Sequence, residues 1–202
     1  MSKIITIGRE FGSGGRELGK RLAEILQIPY YDNEIVTQLA ERTQLATEYV
    51  EQFSEKVEKT IHYFPITTGR SFYTHVNQIM IKTSEVHIEQ GKLLKELAEK
   101  NDCVIVGRCA DYVLKDFNPL RVFVYASMES KVKRCKEKAP EHEKMSDKEL
   151  KQLIRDIDKN RAQYYEYVTG KRWDDKTNHD MLLNTTNFQI KDLARIVSQL
   201  FK

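Results

Sequence analysis

Short apolar runs alternate along the chain with longer stretches whose apolar residues recur at helical spacing. The runs predict strands at residues 4–7, 28–32, 103–106, 121–126 and 180–184. The helical spacing predicts helices at about 18–26, 34–42, 47–59, 72–100, 129–138 and 146–167, with residues 62–69 and 140–144 breaking the pattern. A final helix is predicted from an apolar face formed by Ile190, Leu193, Ile196, Val197 and Leu200.

Local signals refine several of these boundaries. Ser146 and Glu149 have the spacing of a capping box, which opens the long polar helix that follows. Asn33 is expected to cap the helix at 34–42, and Gly91 is expected to mark a kink or a join in the helix at 72–100. These boundaries give the alternation of strands and helices used below.

Strands that alternate with helices, without hairpin signals, predict an α/β fold with a parallel sheet of about five strands and right-handed crossovers. Ligands of such folds bind at the carboxyl ends of the strands. In this chain glycine, charged and small polar residues gather at those ends, at positions 8–16, 32, 107–108 and 126–127. We therefore expect the functional site there.

The densest glycine cluster follows the first strand and precedes the first helix. Four glycines fall within eight residues, and arginines flank them: Gly8, Arg9, Gly12, Gly14, Gly15 and Arg16. Glycine lets backbone N–H groups approach a ligand, and a helix N-terminus adds unpaired donors and partial positive charge. The pattern indicates a phosphate-binding loop. A glycine-rich turn without a ligand is the alternative.

This loop departs from both standard phosphate fingerprints. When Gly12 and Gly14 are aligned with the end of the Walker A loop, Gly15 stands at the lysine position and Arg16 at the Ser/Thr position. Arg16 is a candidate to supply the missing positive charge, because a guanidinium is permanently charged and grips phosphate through two bonds. The dinucleotide fingerprint fails as well, since Glu17 stands where its third glycine belongs.

Composition excludes several classes of protein. The 202 residues suffice for one domain, and a net charge of +3 does not indicate a dedicated nucleic-acid binder. Three cysteines without zinc spacing favour a reducing cytoplasm over a disulfide framework. The sequence has no apolar run of membrane-spanning length and no signal peptide. We expect a cytoplasmic protein that binds neither nucleic acid nor membrane.

The stretch IGREFGSGGRELGKRLAEILQIPYYDNEIV resembles the cytidylate kinase-like branch of the P-loop nucleoside monophosphate kinases. VIVGRCADYVL is similar to the strand and Gly-Arg segment of these kinases that contacts the monophosphate. RVFVYASMESKVKRCKEK is similar to the strand and helix that lead to their lid, and RDIDKNRAQYY to the helix after it. The resemblance covers both ends of the chain. It implies a P-loop NTPase-like, three-layer fold in a single domain, with a helical insert at about 43–100 and a lid at about 139–170.

The resemblance also implies roles for individual residues. The loop would hold the phosphates of ATP through Gly8, Gly12, Ser13, Gly14, Gly15 and Arg16. Arg108 would face the acceptor's phosphate, with Asp32, Arg70 and Asp111 as further acceptor contacts, and Arg155 and Arg161 would reach the transferred phosphate with Arg16. For each of these arginines an ordinary solvated charge is the alternative, and for Asp32 and Asp111 a helix cap.

The implied activity is transfer of the terminal phosphate of ATP to a nucleoside monophosphate, with CMP or dCMP expected first. Mg²⁺ is the expected companion of ATP, with Ser13 and Glu17 as candidate ligands. Two alternatives stay open: a kinase of the same fold with another small acceptor, and a nucleotide-binding or regulatory protein without catalysis. Nucleotides are the expected partners, and a homodimer is compatible with the sequence.

Overall fold

The computed structural model describes residues 3–44, 70–138 and 145–201. The predicted helix at 47–59, the break at 62–69 and the loop at 140–144 lie outside these residues. Within the described ranges the strands are β1 (Ile4–Arg9), β2 (Tyr30–Tyr31), β3 (Cys103–Val106), β4 (Leu120–Tyr125) and β5 (Met181–Asn184). The helices are α1 (Gly15–Leu26), α2 (Asn33–Thr43), α3 (Arg70–Lys100), α4 (Ala110–Val113), α5 (Met128–Lys138), α6 (Asp147–Thr169) and α7 (Ile190–Ser198).

All five strands form one parallel sheet in the order β2-β3-β1-β4-β5. The central strand β1 aligns Ile7 with Val106 of β3 on one side and with Val122 of β4 on the other. The predicted α/β fold is therefore confirmed. Since β1 is central, the glycine-rich stretch that follows it emerges at the middle of the carboxyl edge.

Helices cover both faces of the sheet, which is why its inner strands are continuous apolar runs. Ile4 and Ile105 face α2, α3 and α4, while Ile5, Ile7 and Val104 face α1 and α7. Alternate residues of β1 thus enter opposite cores, and each fully buried Ile or Leu contributes about 2 kcal/mol. This packing fixes the strand ends that carry the site.

Several local predictions are confirmed and others are corrected. The capping box is present, with the Ser146 side chain accepting from the Glu149 N–H. Gly91 lies inside one helix that runs from residue 70 to 100. Asn33 is the first residue of α2 rather than its cap; Asp32 occupies the N-cap position, yet its side chain makes no capping hydrogen bond. That carboxylate is engaged elsewhere, as described below.

The predicted apolar face of the last helix is wrong in part. Ile190, Ala194 and Val197 are buried, whereas Ile196 and Leu200 are exposed. Residues spaced by three and four share the face that packs on α1, and Ile196 lies off this face. Leu200 falls in a 3-10 turn (Gln199–Phe201) after the helix has ended.

Candidate functional site

The glycine-rich loop joins β1 to α1, and its glycines are required by crowding as well as by conformation. Gly12 and Gly14 have φ angles of 74° and 88°. A Cβ at Gly12 would lie 2.8 Å from the Cys135 Sγ, and one at Gly14 would lie 2.3 Å from the Ile190 Cδ1. The loop therefore packs closely against α5 and α7 while its backbone takes left-handed turns that glycine favours.

Neighbouring elements hold the carbonyl side of this loop. Arg134 Nη1 donates to the Gly12 carbonyl at 2.7 Å, and the Thr185 hydroxyl donates to the Ser13 carbonyl at 2.6 Å. The Ser13 hydroxyl donates to the Glu10 carbonyl at 2.8 Å. Helix α1 begins directly after the loop without a side-chain cap. Its first N–H groups and its dipole are thus suited to an anion.

A buried ion cluster ties the loop to α5 and α6. The Nζ of Lys131 lies 3.1 Å from Glu10 Oε2 and 2.9 Å from Asp158 Oδ2, and Asp158 Oδ1 accepts from the Phe11 N–H at 2.6 Å. Burial lowers the pKa of Lys131, but the hydrogen bonds and charges of Asp158 and Glu10 raise it more, so this pKa lies above its ordinary value. Lys131 is therefore charged when it links the three elements.

Two cavities meet at the carboxyl end of β1. The first, the loop cleft, has a volume of about 230 Å³ and is bounded by the loop, the start of α1 and α5. The second, the strand-end pocket, has a volume of about 40 Å³ and lies between the ends of β1 and β3, α6 and His179. Among their lining residues, Arg9 and Arg161 are common to both.

Arg9 is the last residue of β1, and its side chain is buried between the two cavities with 6% exposure. Its Nη2 lies 4.0 Å from Asp32 Oδ1. Its carbonyl accepts a hydrogen bond from Arg161 Nη1 at 3.3 Å, and this guanidinium also lies over the ring of Phe11. Arg161 of α6, which is predicted from the sequence, therefore lies where the two cavities meet.

Arg16 turns toward the end of β2. Its Nε lies 2.7 Å from Asp32 Oδ2, although its side chain is 56% exposed. The Tyr30 hydroxyl donates to the same carboxylate oxygen at 3.3 Å, and burial followed by the charge of Asp32 raises the pKa of Tyr30. The Asp32 carboxylate therefore holds the side chains of Arg9 and Arg16 at the side of the loop where the acceptor is expected.

The end of β3 carries an unusual backbone. Gly107, Arg108 and Cys109 have successive positive φ angles of 78°, 61° and 52°. Gln90 Nε2, from α3, donates to the Arg108 carbonyl at 3.2 Å and to the Tyr164 hydroxyl at 3.1 Å. Strained segments of this kind persist only when their surroundings hold them. The buried Arg108 side chain lines the strand-end pocket as a result.

The remaining predicted residues are placed differently. Asp111, in α4, accepts from the Tyr165 hydroxyl at 2.6 Å and lines the strand-end pocket. Arg155 is exposed on α6 and borders neither cavity, because six residues turn it away from Arg161. Arg70 begins α3, and nothing further is described of its side chain.

Three contributors were not predicted from the sequence: Lys131, Arg134 and Thr185. Lys131 and Arg134 share one face of α5, and Thr185 follows β5, but their contacts with the loop span more than 100 residues. No local pattern signals such contacts. The position of Thr185 after a strand is the one available indication.

Asp32 offers a carboxylate oxygen to Mg²⁺, beside the arginines Arg9 and Arg16 that already face it. Its carboxylate is 7% exposed, and Oδ1 accepts no hydrogen bond from the described residues. Mg²⁺ is commonly bound by one or two carboxylates, water and substrate phosphates, so one such carboxylate oxygen suffices.

Ser13 and Glu17 are the ligands predicted from the sequence. Ser13 is fully buried, and its hydroxyl donates to the Glu10 carbonyl. Burial raises the pKa of Glu17, but hydrogen bonds from Lys138 and Arg21 outweigh it and keep this pKa low.

Other kinds of site are not indicated in the described part of the chain. No group of three or more His, Cys, Asp or Glu side chains in residues 3–44, 70–138 and 145–201 is placed to hold a metal ion. Within the same residues, none of the helices combines the length and the apolar character needed to cross a membrane.

The model of the cytidylate kinase-like family matches residues 4–187. A solved structure of an uncharacterized protein from Eubacterium ventriosum superposes with a TM-score of 0.71 at 26% identity, covering 99% of this chain and 98% of that one. Shikimate kinase from Bacteroides thetaiotaomicron gives 0.57 at 19% identity, with 100% and 99% covered. Shikimate kinase from Acinetobacter baumannii, in complex with shikimate, gives 0.53 at 18%, with 100% and 93% covered. No curated protein sequence matches the chain.

Proposed function

Since the chain belongs to the cytidylate kinase-like family, we propose that it transfers the terminal phosphoryl group of ATP to a nucleoside monophosphate, with CMP or dCMP as the first candidate. Family and P-loop kinase fold together support a phosphotransferase that uses a nucleotide. The acceptor and the identity of the donor are the proposed parts. The protein would work as a cytoplasmic enzyme.

One observation carries the proposal: the glycine-rich loop opens onto a cleft in which positive charge exceeds negative charge. Two carboxylates border the loop cleft, Glu10 and Glu17, against five cationic side chains: Arg9, Arg16, Arg134, Lys138 and Arg161. Phosphoryl transfer needs positioning and positive charge more than a reactive side chain. The uncapped start of α1 adds N–H donors at the same place.

The donor and the acceptor would bind on opposite sides of Arg9 and Arg161. The phosphates of ATP would lie against the loop through Gly12, Gly14 and Gly15, with Ser13 and Gly8 shaping its backbone. The acceptor's phosphate would lie toward Arg108, which lines the strand-end pocket, with Asp32 beside Arg9 at its edge. This arrangement would hold the reacting oxygen and the terminal phosphorus in line.

Helix α6 would contribute Arg161 to the transferring group and would exclude water from it. Asp32 would hold Mg²⁺ through water, and the bound ion would neutralise part of the phosphate charge. Asp111 and Arg70 remain candidate contacts to the rest of the acceptor. Tyr165, which donates to Asp111, would orient that carboxylate.

A second candidate is a kinase of the same fold with a different small acceptor. Two of the structures that share the fold are shikimate kinases, one of them in complex with shikimate. At 19% and 18% identity they support the fold and leave the acceptor open. Shikimate therefore belongs among the acceptors to be tested.

The test measures ADP formation from ATP and Mg²⁺ with CMP, dCMP, UMP, AMP or shikimate as acceptor. We expect kcat/KM to be highest for CMP or dCMP. Turnover confined to shikimate would favour the second candidate. Saturable ATP binding without turnover of any acceptor would indicate a nucleotide-binding protein without catalysis. Arg108→Ala is expected to raise the KM of the acceptor by about tenfold or more while the KM of ATP changes little, because its contact is to the acceptor's phosphate.

A further inference from the structure

The side chain of Arg9 fills the space that a lysine at position 15 of the loop would need. A Cβ built on Gly15 would lie 2.5 Å from the Arg9 Cβ and 3.1 Å from its Cγ. Real Cβ atoms do not approach so closely, so a larger residue cannot occupy position 15 while Arg9 holds its place. Glycine at the lysine position therefore leaves room for the first side-chain carbons of residue 9, which direct the rest of the Arg9 side chain past the loop.

A second glycine makes room for the other end of the same side chain. At Gly107, the first residue after β3, an added Cβ would lie 1.9 Å from Arg9 Nη1 and 2.9 Å from its Cζ. Gly107 also has a φ of 78°. Because Gly15 at the start of α1 and Gly107 after β3 have no side chains, the Arg9 guanidinium can extend across the carboxyl edge of the sheet.

The guanidinium lies where donor and acceptor would meet. Arg9 borders both the loop cleft and the strand-end pocket, and its Nη2 faces Asp32. A cation held at 6% exposure interacts more strongly with an entering phosphate than a solvated one does. Arg161 approaches the same point from α6 through its hydrogen bond to the Arg9 carbonyl.

Two other cations are less suited to replace the lysine. Arg16 is half exposed and its Nε is paired with Asp32 at 2.7 Å. Lys131 is buried, but it lies between two carboxylates and borders neither cavity. Arg9 and Arg161 both border the two cavities, and Arg9, at 6% exposure against 11%, is the more buried of the two and lies on the central strand that leads into the loop.

We propose that Arg9 is a catalytic residue that replaces the lysine of the standard loop, with its guanidinium on the transferred phosphoryl group. This inference rests on the proposed function. In that reaction an oxygen of the acceptor forms a bond to the terminal phosphorus of ATP. The bond from that phosphorus to the bridging oxygen breaks, and ADP leaves with the electron pair. The guanidinium of Arg9 offsets the negative charge on the terminal and bridging oxygens by donating two parallel N–H hydrogen bonds to them.

The experiment compares Arg9→Met with Arg195→Met, an exposed arginine on α7 outside both cavities. The kcat is measured with the best acceptor, and calorimetry gives the dissociation constants of ADP and of the β,γ-imido analogue of ATP. We expect Arg9→Met to lower kcat by about 100-fold. The preference for the ATP analogue over ADP should fall about tenfold, because Arg9 contacts the third phosphate. Arg195→Met should leave both quantities unchanged.

The outcomes separate this inference from the proposed function. If the wild type turns over an acceptor and Arg9→Met keeps both kcat and the nucleotide preference, the role of Arg9 is wrong and the activity stands. If the wild type turns over no acceptor, the activity is wrong, and the nucleotide preference still tests Arg9. A wild type that binds neither nucleotide contradicts both.

Two further variants provide for a failure of Arg9→Met to fold and test whether the side chains at positions 9 and 15 occupy the same space. If Arg9→Met does not fold, the same measurements are made on Arg9→Lys. We expect its kcat to be about tenfold below that of the wild type, because an ammonium group cannot form the bidentate contact of a guanidinium. An unchanged kcat would overturn the inference. The double variant Arg9→Gly/Gly15→Lys restores a lysine to the emptied space. It should exceed Arg9→Gly in kcat by about tenfold or more, and no gain would contradict a shared role for the two positions.

Discussion

The ammonium of Lys131 lies 2.9 Å from Asp158 Oδ2, and the other oxygen of this carboxylate accepts the Phe11 N–H at 2.6 Å. One carboxylate on α6 thus holds both a buried cation on α5 and the backbone of the glycine-rich loop. The position of the loop and the position of the helix that carries Arg161 are set together. This relationship makes the buried cluster a structural requirement for the site.

The first prediction follows from that cluster. Lys131→Met should lower the free energy of unfolding by about 3 kcal/mol, because the two partly buried carboxylates of Glu10 and Asp158 lose the buried cation between them. Lys136→Met, on the same helix, removes an ion pair with the exposed Asp147 and should leave the free energy of unfolding nearly unchanged. Urea unfolding of both variants measures the difference. Equal losses would contradict the special role of Lys131.

Two arginines of α6 provide a matched pair for the catalytic assignment. Arg161→Ala should lower kcat by about 100-fold, because its guanidinium reaches the point where the cavities meet. Arg155→Ala should stay within about twofold of the wild type, since this side chain is exposed and borders neither cavity. Steady-state kinetics with the best acceptor tests both. A large effect of Arg155→Ala would mean that α6 moves on substrate binding and brings Arg155 inward.

Asp32 is predicted to act on the acceptor side. Asp32→Asn preserves the shape of the side chain but removes the charge that faces Arg9 and Arg16. We expect kcat/KM for the acceptor to fall by about tenfold or more, while the dissociation constant of ATP measured without Mg²⁺ changes by at most about threefold. Asp192→Asn, an exposed carboxylate on α7, is the control. A loss confined to ATP binding would place Asp32 on the donor side.

The loop glycines give a prediction about stability. Gly14→Ala should cost about 1–2 kcal/mol for its left-handed backbone, and more from contact with Ile190. Gly170→Ala has a similar φ of 68° at the end of α6 but meets no atom within 4 Å, so it should cost the conformational part alone. Chemical unfolding should show a larger loss for Gly14→Ala, accompanied by weaker ATP binding. Equal losses with unchanged ATP binding would contradict the crowding at the loop.

The pKa values of two histidines lead to a prediction of how the free energy of unfolding depends on pH. Burial lowers the pKa of His87 and of His179 in the folded state, whereas in the unfolded chain it is about 6.5. Below about pH 6.5 the unfolded chain therefore binds more protons than the folded one, and the free energy of unfolding falls.

The double variant His87→Gln/His179→Gln should show a smaller fall than the wild type. Urea unfolding at about pH 7.5 and about pH 5.5 makes the comparison, because most carboxylates stay ionised over this range. An identical fall in both proteins would mean that neither histidine contributes.

The fold was predictable because the apolar runs and helical periodicities are local and strong. The strand at Cys103–Val106 and the Ser146–Glu149 capping box were predicted at the positions where they occur. The last helix was misjudged in part because a face drawn through Ile196 and Leu200 ignores where the helix ends. Periodicity alone does not specify which side of a helix finds a neighbour.

The site was predictable only to the level of strand ends. The loop, Asp32, Arg108 and Arg161 are predicted as site residues because they follow strands or occur in a recognisable segment, and the structure places them near the carboxyl end of β1. The sequence favours Arg16 as the replacement for lysine because it is next in the chain, whereas our proposal for Arg9 depends on how its side chain passes Gly15 and Gly107. The approach of Arg9 to Gly107 joins residues nearly 100 positions apart, and the contacts of Lys131, Arg134 and Thr185 with the loop span still longer distances along the chain.

The most direct test of the account follows the phosphate itself. The protein is mixed in single turnover with ATP labelled at the terminal phosphate, Mg²⁺ and excess CMP, and the label is separated into nucleoside diphosphate and inorganic phosphate. We expect most of the label in CDP, with little inorganic phosphate, because the proposed closure of α6 over the transferring group would exclude water. Label that stays in ATP with CMP, dCMP, UMP and AMP alike, or that appears only as inorganic phosphate, would contradict the proposed transfer.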